Sequence, residues 1–315
     1  VSATVSAFFT RRVKVEKQRV KCEVKDQKID TVQKRQPGHR TMPGFKRVTG
    51  TNFVVDGFDW GEPPWCTAHF LTHFHSDHYK GLGKRWSRPV YCSPVTGNLV
   101  ESRLRVDPGL IVRMPLYTAT IVHGVAVTPI DANHCPGSAV LIFALPDGRH
   151  VLHVGDMRAE GHVVERLSGF RFHTVYLDTT YTDPAYRFPA QSTAIAGCLR
   201  AVTALIDQDR ARLAPLRRLI AVGTYLIGKE RLVLALARHL SSPVYVDGGK
   251  RRVLDCLEWP ELQAVLCDDP DQAAIHIVHL GMVSREGLQK LGDRYRVDQV
   301  IGIKPTGWTF QGGGG

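Results

Sequence analysis

"LTHFHSDH", residues 71–78, sets three imidazoles and a carboxylate within positions 73–78. The apolar lead-in "CTAHFL" reads as a strand, and Ser76 and Asp77 read as the start of a helix. The cluster is therefore expected at a strand end, where loops carry function. In an extended segment His73 and His75 point the same way and can grip one metal. Asp77 and His78 follow in the next turn and can face a second metal alongside. Neutral imidazoles and carboxylates suit zinc, or manganese where oxygen ligands dominate. Two metals about 3.5–4 Å apart would clamp the entering and leaving oxygens of a phosphoester displacement. Further ligands must come from elsewhere, and two candidates stand out: His134 in "DANHCPGS", a loop between strands, and Asp156 in "VLHVGDMR", placed after a strand and a glycine so that it can bridge two ions. Packing alone gives no reason to crowd four such groups together, and burying an unpaired carboxylate is costly. His69, His123, His150, His153, His276 and His279, each taken alone, read as structural.

The remaining composition bounds the problem. The chain has 315 residues, 43% of them hydrophobic, enough for a real core. It begins with valine, as expected of a fragment or processed product, and no run approaches the ~18 apolar residues of a membrane span. The net charge of +11 is uneven: residues 1–47 hold 13 Lys+Arg against 4 Asp+Glu, or +9, leaving +2 for the rest. High overall basicity is thus weak support for nucleic-acid binding by the body of the chain. The seven cysteines are scattered, with no C-x-x-C pair, which favours a reducing compartment and argues against a cysteine zinc finger or disulfide scaffold.

Residues 1–42 read as a disordered basic tail, either a solvated linker or an arm for nuclear import or DNA tethering. From about residue 48 strands are expected in "TNFVVDGF", "RPVYCS" and "FHTVYLDTTY", a helix in "PVTGNLVESRL", and two strands around an Asp-Gly turn in "AVLIFALPDGRHVLHVGD". After residue 182 helices and strands alternate through "QSTAIAGCLRAVTALID", "RRLIAVGTY", "GKERLVLALARHL", "PVYV", "RRVLDCLEW", "AAIHIVHL", "REGLQKLGDRY" and "QVIGIKPTGW", the rhythm of a second α/β unit with parallel strands. Residues 311–315 form a Gly-rich end with no packing value.

H-x-H-x-D-H, an isolated histidine and then Gly-Asp together resemble the metallo-β-lactamase fold, an α/β architecture built as an αββα sandwich with its metal site along one edge. "THFHSDHYKGL", "VYCSPVTGNLV", "DANHCPGSAVLIF", "LHVGDMRA", "YLDTTYTDP", "GTYLIGKER" and "KPTGWTF" resemble the SNM family of β-CASP DNA nucleases, the family of Artemis, Apollo and the DNA cross-link repair exonucleases. The resemblance implies a metallo-β-lactamase domain over 43–181 and a β-CASP region over 182–310. It also implies metal-dependent DNA hydrolysis in the nucleus, 5′-to-3′, with a preference for a 5′-phosphate and two zinc ions as cofactors. Carried over, His73, His75 and His134 would hold the first zinc, Asp77 and His78 the second, with Asp156 shared. Asp178 matches an acidic β-CASP position expected to orient ligands or water by hydrogen bonds. Asp77, Asp156 and Asp178 are the candidate catalytic carboxylates.

The family's pattern continues past "PTGW" to a histidine that completes the second metal site and to the last elements of the sandwich, whereas this sequence ends "TFQGGGG". The expectation is a second site one ligand short, in a truncated gene model or splice product. That keeps open an alternative, a catalytically impaired DNA-binding or regulatory form. A small-molecule hydrolase of the same fold is disfavoured by the unit at 182–310, which would lid a groove for a polymer. "GTYLIGKE" nearly spells the P-loop pattern, but Glu230 replaces the hydroxyl residue that would ligate Mg²⁺. A milder reading has Lys229 and the helix N-terminus after it holding a DNA phosphate.

Overall fold

The computed structural model describes residues 41–183, 186, 188–208 and 216–307, together with the backbone of 3–9. Three sheets organise them. A parallel four-stranded sheet runs Phe53–Val55, Ala68–Phe70, Val90–Cys92, Ile111–Arg113. A mixed five-stranded sheet has the order Thr174–Tyr176, His150–His153, Ala139–Ala144, Val125–Asp131, Thr120–Val122. The two pack face to face. Phe53 and Phe70 from the first sheet meet Phe143 from the second with ring centroids 6.2 and 5.3 Å away, and all three are buried. Val125 and Val127 project from the second sheet into the same layer with Leu141 and Val151, the period-2 pattern of a strand with one face inward. Helix Gly161–Leu167 covers the outer face of the five-stranded sheet, where Ile130, Val140, Ile142 and Leu152 gather. Helix Pro94–Leu99, capped by Ser93 and opened by a proline, covers the outer face of the other. This is the αββα sandwich.

The second lobe is built on a six-stranded sheet ordered Ala3–Phe9, Gln299–Pro305, Arg218–Thr224, Ile275–His279, Val244–Tyr245, Leu266–Cys267, parallel except for the first strand. Its central strands are apolar on both faces, as buried parallel strands must be. Ile220 and Val222 face helices Gln191–Asp207 and Glu230–Leu240, while Leu219 and Ala221 face helix Arg285–Tyr295. One apolar cluster is continuous from Leu99 and Val100 of the sandwich to Val222 and Ile275 of the second lobe, so the lobes share a core.

One expectation is corrected. Ala3–Phe9 is a strand, paired antiparallel with Gln299–Pro305 from Ala3↔Pro305 to Phe9↔Gln299, rather than the start of an unstructured basic arm. The first ten residues carry no charged side chain and the basic residues begin at Arg11, so averaging over 1–42 hid a short β-forming segment. Residues 10–40 and the Gly-rich end lie outside the described residues. The six described cysteines are free, and no helix among the described residues is long and apolar enough to cross a membrane.

The sandwich places the cluster. Strand Phe53–Val55 ends at Asp56, and its parallel neighbour Ala68–Phe70 runs on through Leu71 and Thr72 into His73. The amide of Ala139, at the start of the central strand of the other sheet, donates to the Thr72 carbonyl at 2.9 Å and ties the sheets together at this edge. Phe143→Ala should destabilise the protein by about 3–5 kcal/mol, because the cavity cannot collapse between two sheets. Ile121→Ala, at a side chain 70% exposed, should change stability by less than about 0.5 kcal/mol. Equilibrium denaturant unfolding of both variants checks this, and equal effects would contradict the packing described.

Candidate metal centre

Asp56 organises the site from beneath, and the sequence reading passed it over. It sits at the end of its strand with φ of 50° and is buried. The Thr72 amide donates to its Oδ1 at 2.9 Å, and the Thr72 hydroxyl donates to its Oδ2 at 2.8 Å. His78 Nδ1 donates to the same Oδ2 at 2.8 Å. With its proton committed to Asp56, the Thr72 hydroxyl can only accept from His73 Nδ1, 3.0 Å away. One carboxylate therefore orients two rings: His73 carries its proton on Nδ1 and turns a bare Nε2 toward the cluster, and His78, held at Nδ1 by Asp56, aims its Nε2 the same way. His75 is set the other way round. Its Nε2 donates to the Ile227 carbonyl at 3.4 Å, leaving Nδ1 as the inward atom.

Those inward atoms converge. His73 Nε2 lies 3.0 Å from His75 Nδ1, and His134 Nε2 lies 3.1 Å from the same atom. Asp156 Oδ2 lies 3.4 Å from His134 Nε2 and 3.8 Å from His73 Nε2. All four ligand atoms fall within 4.8 Å of one another. With these tautomers His73 and His75 face each other with lone pairs, an arrangement that a cation between them relieves. Tetrahedral zinc with bonds of 2.0–2.1 Å would space its ligand atoms about 3.3 Å apart, close to the distances found, so the residues fit the ion. The other oxygen of Asp156 lies 3.2 Å from His78 Nε2, and Asp77 Oδ2 is 3.6 Å from that same nitrogen. Asp156 thus turns one oxygen to each side, toward a quartet with His73, His75 and His134 and toward a trio with Asp77 and His78. Gly155 precedes it with φ of +55°, and a Cβ there would meet the Thr72 side chain at 2.9 Å, so only glycine lets this strand end approach so closely.

The electrostatics separate the two halves. Burial holds His73 well below the usual histidine pKa and lowers His75, and burial with His75 nearby takes His134 to about 4, so all three are neutral ligands. Burial also opposes a charge on His78, but hydrogen bonds to Asp156 and Asp56 outweigh it and raise the pKa to about 10. Burial would raise Asp56 and Asp156 too, yet the His78 hydrogen bond wins and both are lowered. Without a metal, His78 is the cation between two carboxylates.

The cluster forms one wall of a cavity of about 650 Å³ between the lobes, which is also lined by Arg158, Asp178, Tyr181, Phe188, Tyr225 and Lys229. Asp178 was expected to orient a ligand or water. It lines the cavity, where its Oδ1 accepts from the Thr180 amide at 2.9 Å. Lys229 is the residue before helix Glu230–Leu240 and reaches the cavity. Just before the helix, buried Glu230 accepts the Gly228 amide at 2.7 Å and sets a carboxylate in the first turn, where it disfavours a P-loop reading. His276 is buried against Tyr245 and Tyr295 and bonds to Pro270, and His279 accepts the Gly281 amide, so neither joins the cluster. His153 is buried and accepts the Gly155 amide.

Two outcomes follow for metal uptake. Asp56→Asn should weaken metal binding by about 10–100-fold, measured by chelator competition; unchanged affinity would dissociate Asp56 from the ligands. His78 holds its proton more tightly folded than unfolded, so its contribution to metal-free stability is full below about pH 6.5 and disappears as pH rises through about 10. Metal binding between those limits should therefore release a proton, readable with an indicator dye in weak buffer at pH 8, and His78→Ala should abolish that release.

Residues 43–214 match the family model described as "Beta-lactamase superfamily domain", and residues 260–313 match the one described as "DNA repair metallo-beta-lactamase". The "DNA cross-link repair 1A protein" of Mus musculus is 44% identical over 275 residues, covering 86% of this chain and 26% of that protein. The "DNA cross-link repair protein SNM1" of Arabidopsis thaliana is 38% identical over 276 residues, covering 86% and 56%. The "5' exonuclease Apollo" of Gallus gallus is 33% identical over 263 residues, covering 82% and 54%. The chain spans from 26% to 56% of the length of these relatives. With the sandwich, the edge cluster and these matches in hand, the chain belongs to the beta-lactamase superfamily and carries a DNA repair metallo-beta-lactamase segment at its C-terminal side.

Proposed function

We propose that the chain is a zinc-dependent DNA 5′-to-3′ exonuclease that acts in the nucleus, in interstrand cross-link and double-strand break repair, on ends bearing a 5′-phosphate. The observation that carries this reading is the shared carboxylate: Asp156 stands between a three-histidine group and the Asp77–His78 pair on the wall of an interlobe cavity. The relatives, cross-link repair proteins and a 5′ exonuclease, support DNA as the substrate class.

His73, His75, His134 and Asp156 would hold one ion, and Asp77, His78 and Asp156 a second. Zinc bound there would supply a water of lowered pKa and offset charge on the phosphoester. The protein's own part is to bind and align. Arg158 and Lys229 on the cavity wall bring positive charge to a phosphate. Tyr181 and Tyr225, both part-exposed at the cavity, offer ring faces on which bases of a single strand can stack. Asp56 acts through Thr72, His73 and His78 and touches no substrate.

His73→Ala and Asp156→Asn should each reduce hydrolysis of 5′-phosphorylated single-stranded DNA to background, with metal lost from the first site; near-full turnover by either would refute the ligand assignment. Residues 1–42 carry 11 Lys+Arg and 4 Asp+Glu, a charge suited to non-specific binding by counterion release. Replacing those Lys and Arg by Gln should leave turnover at saturating DNA unchanged and flatten the salt dependence of binding, by about 0.7 in log–log slope for each phosphate no longer neutralised. An unchanged slope would leave the segment as a linker.

A further inference from the structure

The loop 225–229 of the second lobe reaches a ligand of the first metal group. The Ile227 carbonyl accepts from His75 Nε2 at 3.4 Å, the one bond that keeps His75 Nδ1 bare and facing inward. What aims that carbonyl lies further back. Lys250, in helix Gly248–Asp255, donates from Nζ to the Leu226 carbonyl at 2.6 Å and to the Tyr225 carbonyl at 3.0 Å. Its backbone is fixed in turn by Asp247, which caps the helix by accepting the Lys250 amide at 2.8 Å. On the other side of Ile227, Glu230 holds the Gly228 amide, and Gly228 has φ of +111°. Ile227 is itself anchored by a fully buried side chain. With the carbonyls before it drawn to Lys250 and the amide after it drawn to Glu230, the Ile227 peptide is left facing His75.

We propose that Lys250 is a positioning residue of the metal centre: by holding the Tyr225 and Leu226 carbonyls it aims the Ile227 carbonyl at His75 Nε2, and so makes the second lobe part of the first metal site. A lysine serving only solubility would keep its ammonium in water; this one is drawn in against two backbone carbonyls, with Glu230 and Asp247 as the nearby negative charges. A second contact runs in parallel, from Arg231 Nη1 to Asn133 Oδ1 at 2.7 Å, next to ligand His134. The inference rests on the cluster being a metal site and is independent of what the site hydrolyses.

The test uses the full chain, stripped with chelator and titrated with Co²⁺ alone, with affinity read by competition and ligand geometry by visible absorption. Lys250→Met keeps length and removes the donors; it should weaken Co²⁺ binding by about 10-fold or more and alter the absorption bands. Lys250→Arg, which can still donate to two carbonyls, should recover most of both. If Lys250→Met fails to fold, Gly228→Ala takes its place, since an L-residue strains φ of +111° and moves the Ile227 peptide without touching Lys250; it should show the same weakening. Wild-type affinity and spectrum in a folded Lys250→Met or Gly228→Ala protein would overturn the proposal, as would a loss that Lys250→Arg does not recover. Failure of the wild-type chain to take up Co²⁺ would overturn the metal reading itself, a separate and recognisable result.

Discussion

The buried carboxylate of Asp56 is the constraint on which the site depends. Left unpaired at the edge of a sandwich it would cost several kcal/mol, and the chain answers with three donors: an amide, a hydroxyl and an imidazole. Each donor belongs to the segment that follows the neighbouring strand. Satisfying Asp56 therefore pins the path of residues 72–78 and decides which nitrogen of two imidazoles faces the cluster. The metal-binding face follows from the accounting of protons around a group that touches no metal.

The same logic explains the contrast across the site. Three imidazoles are neutral because burial disfavours their charge, while His78, equally enclosed, is held charged by the carboxylates on either side. Neutral imidazoles can take up a cation with no proton to displace, whereas His78 must first surrender one. The two halves thus differ in their response to pH although they share Asp156.

Much of this was legible in the sequence where the signal was local. H-x-H-x-D-H at a strand end, the lone His134 and the Gly-Asp of residues 155 and 156 are short-range patterns, and the alternating segments after residue 190 matched helices and strands such as Gln191–Asp207 and Arg218–Thr224. What escaped was non-local or carried by the backbone. Asp56 falls inside "TNFVVDGF", read only as a strand, until parallel pairing of Phe53–Val55 with Ala68–Phe70 brings it beside Thr72. Ile227 acts through a carbonyl that every residue type possesses. Asp178 was placed by resemblance as a group that orients ligands or water; it lines the cavity, and its Oδ1 takes the Thr180 amide in a local Asx-type bond. Glu230 was legible as the wrong residue for nucleotide binding, but its bond to the Gly228 amide needed coordinates.

The contact between His75 and Ile227 joins residues 152 apart in the chain. On a ribosome adding about 5–20 residues per second, His75 is made roughly 8–30 s before the peptide that sets it exists. Throughout that interval the nascent chain carries imidazoles but lacks the fixed tautomer of His75. A centre whose His75 is set by the second lobe stays unassembled until that lobe has been made.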